Sequence, residues 1–205
     1  MAGEFALIER LLNQAGVASA MQAPSLLLGP GDDCALIAPP ENGTAWAITT
    51  DMLVEGTHFL ATDDPENLGW KTLAVNLSDL AAMGAQPRYV TLAVALSADD
   101  ASSGWIDQFF RGFSACAQQF GVDLIGGDTT RGPRTFCVTA IGSVQPGQAL
   151  RRNGAQDQDD IWISGNPGLA ALGLAYKLGT TTLAPTLAAL ASKALHRPLP
   201  RVSLG

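Results

Sequence analysis

The sequence predicts an α/β (α+β) fold, on three observations. Strand-like runs alternate along the chain with two long helical patterns, over 65–84 and 103–120. Thr135–Val144 sets Phe136, Val138, Ala140 and Gly142 against Thr135, Cys137, Thr139 and Ile141, the period of two expected of a sheet with one buried face. The composition, 47% hydrophobic over 205 residues with a mean hydropathy of +0.17, suits a chain that buries a core.

The elements follow in order. Residues 3–15 carry Phe5, Leu7, Ile8, Leu11 and Leu12 at helical spacing, and Gly16 stops the run. Leu26-Leu27-Leu28 is short enough for a strand. Gly29-Pro30-Gly31-Asp32-Asp33-Cys34 then leads two adjacent carboxylates into the apolar run Ala35-Leu36-Ile37. Side chains alternate on an extended chain, so Asp32 and Asp33 do not share one ion, and one of them is free to bond local backbone. Residues 39–43 are a hairpin-like turn. Residues 45–51 form a strand ending in Thr49, Thr50 and Asp51, several oxygens close together on the chain. His58, one of two histidines, lies just beyond.

Asp63 or Asp64 caps the helix over 65–84, with Pro65 in its first turn. Asn76 and Asp79 share one of its faces. Asp79 stands among Leu77, Leu80, Ala81 and Ala82, where a carboxylate requires a cation, exposure or a capping role. Residues 87–96 are a strand. Residues 103–120 are a helix with Trp105, Ile106, Phe109, Phe110, Phe113 and Cys116 on its apolar side. Residues 121–132 read as a buried strand, Val122 to Ile125, feeding a tight turn at Gly126-Gly127-Asp128 and ending near Arg131. Leu150 to Ala155 is a basic loop in an acidic chain. A polar boundary at 156–160 precedes a strand at 161–165 and two helices, at 169–178 and 184–195. One strand and two helices do not make an independent core. The expected organisation is therefore a first domain over 1–148 and the beginning of a second, incomplete α/β domain over 149–205.

Charge and cysteine usage exclude several classes. A net charge of −7 leaves no basic surface for non-specific nucleic-acid binding. No stretch approaches the ~20 apolar residues that span a bilayer, so no membrane role is expected. Cys34, Cys116 and Cys137 are odd in number and widely spaced, which fits free thiols in a reducing compartment. With no secretion signal at the N-terminus, the expected location is cytoplasmic.

The chemistry-bearing residues are carboxylates without a nucleophile. Asp33, Asp51, Asp79 and Asp128 each sit in an oxygen-rich or glycine-rich setting, and Gly-x-Ser-x-Gly, His-x-x-x-His and Gly-x-x-x-x-Gly-Lys-Ser/Thr patterns are all absent. Hard oxygen ligands of this kind suit Mg²⁺, and two adjacent glycines let phosphate approach bare backbone N–H groups. Metal-assisted phosphoryl transfer is the leading reading, with ions neutralising phosphate charge and holding the reacting oxygens in line. One of Arg151 and Arg152 is placed to reach phosphate, or both belong to a solvated loop.

Four motifs, Gly29-Pro-Gly-Asp-Asp-Cys-Ala, Thr49-Thr-Asp-Met-Leu-Val-Glu-Gly-Thr-His-Phe, Lys71-Thr-Leu-Ala-Val-Asn-Leu-Ser-Asp-Leu-Ala-Ala-Met-Gly-Ala and Leu124-Ile-Gly-Gly-Asp-Thr-Thr-Arg-Gly, closely resemble the thiamine-monophosphate kinase family. This family belongs to the ATP-dependent superfamily that also holds aminoimidazole ribonucleotide synthetase and selenophosphate synthetase. The resemblance runs over essentially the whole chain. It implies ATP-dependent phosphorylation of thiamine monophosphate to thiamine diphosphate by direct in-line transfer, with several Mg²⁺ ions and ATP as co-substrate. By motif position it implies Asp33, Thr49, Thr50, Asp51, Asp79 and Asp128 as Mg²⁺ ligands, Gly127, Asp128 and Arg152 as ATP contacts and His58 as a substrate contact, with no covalent catalytic residue. It also implies a four-stranded sheet that pairs with its twin across a homodimer.

Family members continue past the His196-Arg-Pro-Leu-Pro-Arg segment into a full second domain carrying Asp-Leu-Ser-Asp-Gly and Gly-Gly-Glu-Asp-Tyr motifs, neither of which occurs here. The expectation is weak or absent kinase activity for this chain alone, with exposed apolar surface over 169–195. The alternative is a non-catalytic nucleotide- or metal-binding dimerisation module. Selenophosphate synthesis is disfavoured, because no glycine-rich reactive loop precedes Cys34.

Overall fold

The computed structural model describes residues 26–28, 32–38 and 43–205. The expected helix at 3–15, the Gly29-Pro30-Gly31 lead-in and most of the turn at 39–43 lie outside the described residues.

Six strands form one sheet: β1 (Leu26–Leu28), β2 (Ala35–Ile37), β3 (Ala45–Val54), β4 (Gln86–Leu96), β5 (Asp123–Arg131) and β6 (Thr135–Val144). Their order is β1-β2-β3-β6-β4-β5. Every pairing is antiparallel except β4 with β5. The sheet is thus mixed, and it has six strands where the family resemblance implies four. Four long strands make its body, and two three-residue strands extend it at the β3 edge.

Helices α1 (Pro65–Ala82) and α3 (Trp105–Phe120) cover one face. Asp64 caps α1, its carboxylate accepting from the Asn67 N–H at 2.8 Å, and Pro65 opens the first turn. The expected helix at 103–120 begins only at Trp105. A separate short helix, α2 (Ala98–Ser102), precedes it, capped by the Ser97 hydroxyl, which accepts from the Asp100 N–H at 3.1 Å. The core lies between sheet and helices. Phe109 stacks on Phe136 with centroids 4.3 Å apart, and Leu73, Leu77, Leu80 and Val138 are fully buried in the same core. The opposite sheet face carries Trp46, Ile48, Met52, Tyr89 and Ile141 on alternating positions, and no described element covers it.

Two expectations fail. Residues 121–132 are neither a buried strand nor a tight turn. Strand β5 runs unbroken from Asp123 to Arg131, exposed along its whole length, because it is the outer strand and keeps its ladder with β4 to Leu96–Arg131. A bulge at Ile125 absorbs the one irregularity. Gly127 is required by close approach rather than by a turn, since a Cβ there would lie 1.9 Å from the Leu92 carbonyl oxygen. The strand expected at 161–165 is also absent. Ile161, Trp162 and Ile163 are 93%, 88% and 72% exposed and find no strand partner among the described residues, so no ladder forms.

Helices α4 (Leu169–Lys177) and α5 (Pro185–His196) pack on each other where Gly173 meets the Ala191 carbonyl. They dock on the start of α1: the Trp70 indole donates to the Pro198 carbonyl at 2.8 Å, Arg197 lies 4.5 Å over the Trp70 ring, and Lys177 pairs with Asp63. Leu174, Tyr176, Leu178, Leu187 and Leu190 remain exposed, the apolar surface expected over 169–195.

Arg134 ties the β5–β6 turn to the rest of the domain. It reaches both oxygens of the nearly buried Asp100 and lies 3.2 Å from Glu55 and 4.6 Å over the Trp105 ring. Its hydrogen bonds hold the Asp100 carboxyl below the usual range. A depressed carboxyl contributes stability that is present above its unfolded pKa and is lost as pH falls through the folded one. Arg134→Met should therefore cost about 2 kcal/mol at neutral pH, and the difference from the parent should shrink in acid denaturation below about pH 4. Urea unfolding at several pH values measures both.

Candidate functional site

Strand β3 and helix α1 build the site. Beyond Ile48, β3 has no strand partner on its outer side among the described residues, because β2 pairs only as far as Ala35–Ile48. Helix α1 takes over there. The buried Asn76 accepts the Asp51 N–H at 3.0 Å and donates to the Thr72 carbonyl at 3.1 Å. One turn on, Asp79 accepts the Thr49 hydroxyl at 2.9 Å. Thr49 and Asp51 lie two apart on one strand and face the helix. Asn76 and Asp79 lie three apart on the helix and face the strand, as their spacing requires.

From the β1–β2 side, Asp32 and Asp33 enter the same corner. Asp32 accepts the Asp33 N–H at 3.0 Å, the local backbone bond that alternation left open for one of the pair. The same carboxylate accepts the Arg152 N–H at 3.2 Å, and the Arg152 guanidinium pairs with Asp33. Cys34 donates its thiol to the Asp79 carbonyl at 3.7 Å.

Charge accumulates here. Burial pushes Asp79 up to about 6, with further upward pressure from Asp51 and Asp33, against the opposing Thr49 hydrogen bond and Arg152. Asp51 is also raised, by burial, with His58 opposing. Burial and the surrounding carboxylates push the Cys34 thiol to about 12, so it is a neutral packing group rather than a thiolate ligand. Asp79, raised above its unfolded value, contributes stability present below about pH 4 and lost as pH rises through about 6. Thr49→Val removes the side-chain hydrogen bond that favours the ionised form of this carboxylate. The Asp79 carboxyl resonance followed by NMR should then titrate above its parent value of about 6.

The predicted set divides between the two faces of the sheet. Asp33, Thr49, Asp51 and Asp79 stand on the helix side. Thr50 is on the open face, its hydroxyl 2.9 Å from that of Thr139. The row Met52–Cys137–Ala93–Asp128 places Asp128 on the open face as well, three strand spacings or roughly 14 Å from β3. Gly127 shares a row with Val138 and Asp51 at the same separation. This chain does not bring Asp128 to the other carboxylates, and among the described residues no three acidic, histidine or cysteine side chains form a ready-made metal cage. The donor chemistry nevertheless fits a hard cation that takes one or two carboxylates and completes its shell with phosphate and water. The donors are carboxylates and a hydroxyl, and the carboxylates outnumber the cations beside them.

His58 is fixed close by. Its Nδ1 accepts the Val54 N–H at 3.0 Å, leaving Nε2 without a partner among the described residues, and its carbonyl accepts Lys71 Nζ at 2.8 Å. Phe59, buried against Phe136 at 5.8 Å, anchors the same loop. Lys71 and Asp32 were not singled out as site residues from sequence. Their partners are 13 and about 120 positions away, and no local pattern reports such contacts.

Comparison with known proteins gives one consistent result. The family model described as AIR synthase related protein, N-terminal domain, matches residues 31–144. The thiamine-monophosphate kinase of Haemophilus influenzae is 44% identical over 204 residues, covering 99% of this chain and 60% of its own. That of Synechococcus elongatus is 43% identical over 195 residues, covering 94% of this chain and 59% of its own. Among solved structures, the thiamine-monophosphate kinase of Stenotrophomonas maltophilia K279a is 48% identical with a TM-score of 0.73, covering 98% of this chain and 63% of that one. AaThiL complexed with AMPPCP and TMP is 27% identical with a TM-score of 0.82, covering 98% of this chain and 60% of that one. The chain thus spans about three fifths of the length of these curated relatives.

Proposed function

The chain belongs to the AIR synthase related protein family through its N-terminal domain, and from that premise we propose that it is the nucleotide- and metal-binding part of a kinase that phosphorylates thiamine monophosphate to thiamine diphosphate at the expense of ATP. The observation that carries this reading is the carboxylate corner formed by Asp33, Asp51 and Asp79 around the Thr49 hydroxyl, with Arg152 opposite. Relatives at 43% and 44% identity that carry this kinase name, and a similar fold complexed with AMPPCP and TMP, support the substrate pair.

In this reading Asp33, Asp51 and Asp79 hold magnesium, with Thr49 adding a hydroxyl oxygen, while Thr50 and Asp128, on the open face, stand outside this corner. When bound, the metal supplies charge neutralisation for the transferred phosphoryl group. The chain's own residues do the rest by position. Thr49 keeps Asp79 ionised near neutral pH. Asn76 fixes the Asp51 backbone. Arg152 offers a planar fork to phosphate oxygens. His58, with Nδ1 committed to Val54, presents Nε2–H to the acceptor substrate.

We place the domain boundary near residue 148 and assign the open sheet face and the β5 edge to a homodimer. Sedimentation of Met52→Glu as monomer, against a dimeric parent, would support the dimer assignment. The decisive assay is incubation with ATP, magnesium and thiamine monophosphate. Thiamine diphosphate formed at the expense of the γ-phosphate supports the kinase reading. Turnover of aminoimidazole precursors or selenide instead would overturn it. A second reading is a non-catalytic nucleotide-binding dimerisation module. It predicts magnesium-dependent nucleotide binding with no product.

A further inference from the structure

Arg152 occupies an unusual place in the acidic corner. Its backbone N–H bonds Asp32 at 3.2 Å, its Nε lies 3.7 Å from the other Asp32 oxygen, and its terminal nitrogen pairs with Asp33. Asp32 in turn holds the Asp33 N–H. The Asp32 side chain is only 8% exposed, whereas that of Arg152 is 59% exposed. The Asp33 side chain is 28% exposed and its backbone N–H is held by Asp32, so the guanidinium is the most exposed of the three groups and the freest to leave. Asp51 and Asp79 stand beside this pair, and Arg152 also acts electrostatically to hold Asp79 down.

We infer that Arg152 is a built-in counter-ion that competes with metal for Asp33 and exchanges that carboxylate for nucleotide phosphate, so that metal and nucleotide binding are coupled through this side chain. The inference rests on the nucleotide–metal reading given above. A guanidinium stays protonated at any working pH, so it cannot yield Asp33 by losing its charge and has to move away. The bond from its backbone N–H to Asp32 keeps the turn Arg152–Gly154 in place while the side chain swings. Once Asp33 ligates a cation, the guanidinium faces like charge and gains most by meeting phosphate, for which its fork is suited. The consequence is reciprocal: nucleotide strengthens metal binding, and metal strengthens nucleotide binding by the same factor.

Calorimetric titration of magnesium without nucleotide tests this on the chain itself. Arg152→Gln should bind magnesium about fivefold more tightly than the parent, the scale of a largely exposed ion pair. Arg151→Gln removes the same charge from the neighbouring residue and should leave the affinity unchanged. Titration with the non-hydrolysable analogue AMPPCP should show that magnesium improves its affinity less in Arg152→Gln than in the parent. Unchanged or weaker magnesium affinity in Arg152→Gln, or an equal gain in Arg151→Gln, overturns the inference. If nucleotide binding in the parent is indifferent to magnesium, the kinase reading fails instead. Arg152→Lys, which keeps the charge but loses the fork, should resemble the parent in magnesium affinity and Arg152→Gln in nucleotide affinity. A Lys variant that holds nucleotide as the parent does contradicts the exchange.

Discussion

Asp79→Asn abolishes magnesium-dependent nucleotide binding while making the fold more stable. Asp79 is the point where strand β3 and helix α1 meet: it accepts the Thr49 hydroxyl and feels the charges of Asp51 and Asp33. Asparagine keeps the shape and an oxygen to accept from Thr49, but it is a neutral and much poorer magnesium ligand. The affinity for magnesium–nucleotide should fall at least about 100-fold, or roughly 2.7 kcal/mol. Stability should move the other way. The carboxyl is raised from 3.8 to about 6 in the folded chain, so its charge is unfavourable there at neutral pH. A shift of about two units corresponds to roughly 3 kcal/mol, and contact with water at this half-buried position reduces that to about 1 kcal/mol. The stabilisation should vanish below about pH 4, where the parent carboxyl is protonated in both states. Urea unfolding at pH 7.5 and pH 4, beside calorimetry, separates the two effects. A variant that binds as the parent does would remove Asp79 from the metal set. A variant that loses both binding and stability would make its role structural.

Gly112→Val produces the largest loss of stability expected anywhere in the chain. Helices α1 and α3 cross through two glycines: a Cβ on Gly112 would lie 1.7 Å from the Glu66 carbonyl oxygen, and one on Gly69 would lie 1.9 Å from that of Phe109. Both obstacles are backbone, so no side-chain rotation relieves them. The helices must separate, and Phe109, stacked 4.3 Å from Phe136 at the centre of the core, moves with α3. A loss of about 4 kcal/mol is expected, read from the urea midpoint. Gly104→Val, at a position open to space, should cost far less. Similar losses at the two positions would mean that the crossing is not what holds the domain.

Much of this arrangement was legible in the sequence, because local patterns carry it. The Asp64-Pro65 start of α1, the alternation of Thr135–Val144 and the shared face of Asn76 and Asp79 each follow from spacing and capping within a few residues. Strand β5 was misread because its composition is ambiguous. Gly126-Gly127-Asp128 is a turn sequence by propensity, yet here the glycine serves close approach to Leu92 in a parallel ladder, a fact set by β4 more than thirty residues earlier. The run Ile161-Trp162-Ile163 has strand composition without a strand partner among the described residues, and periodicity does not register whether a neighbour exists. At the site, the residue types were readable and their grouping was not. Thr50 and Asp128 fall on the open face by strand parity and register, and the Arg152 contact with Asp33 spans 119 positions.

The most direct test of the nucleotide–metal site is calorimetric titration of AMPPCP into the folded chain, with magnesium and again with chelator. Binding that requires magnesium, and that Asp79→Asn removes, is the predicted result. A folded chain that binds the analogue equally well in chelator, or not at all with magnesium present, would contradict the assignment of this carboxylate corner.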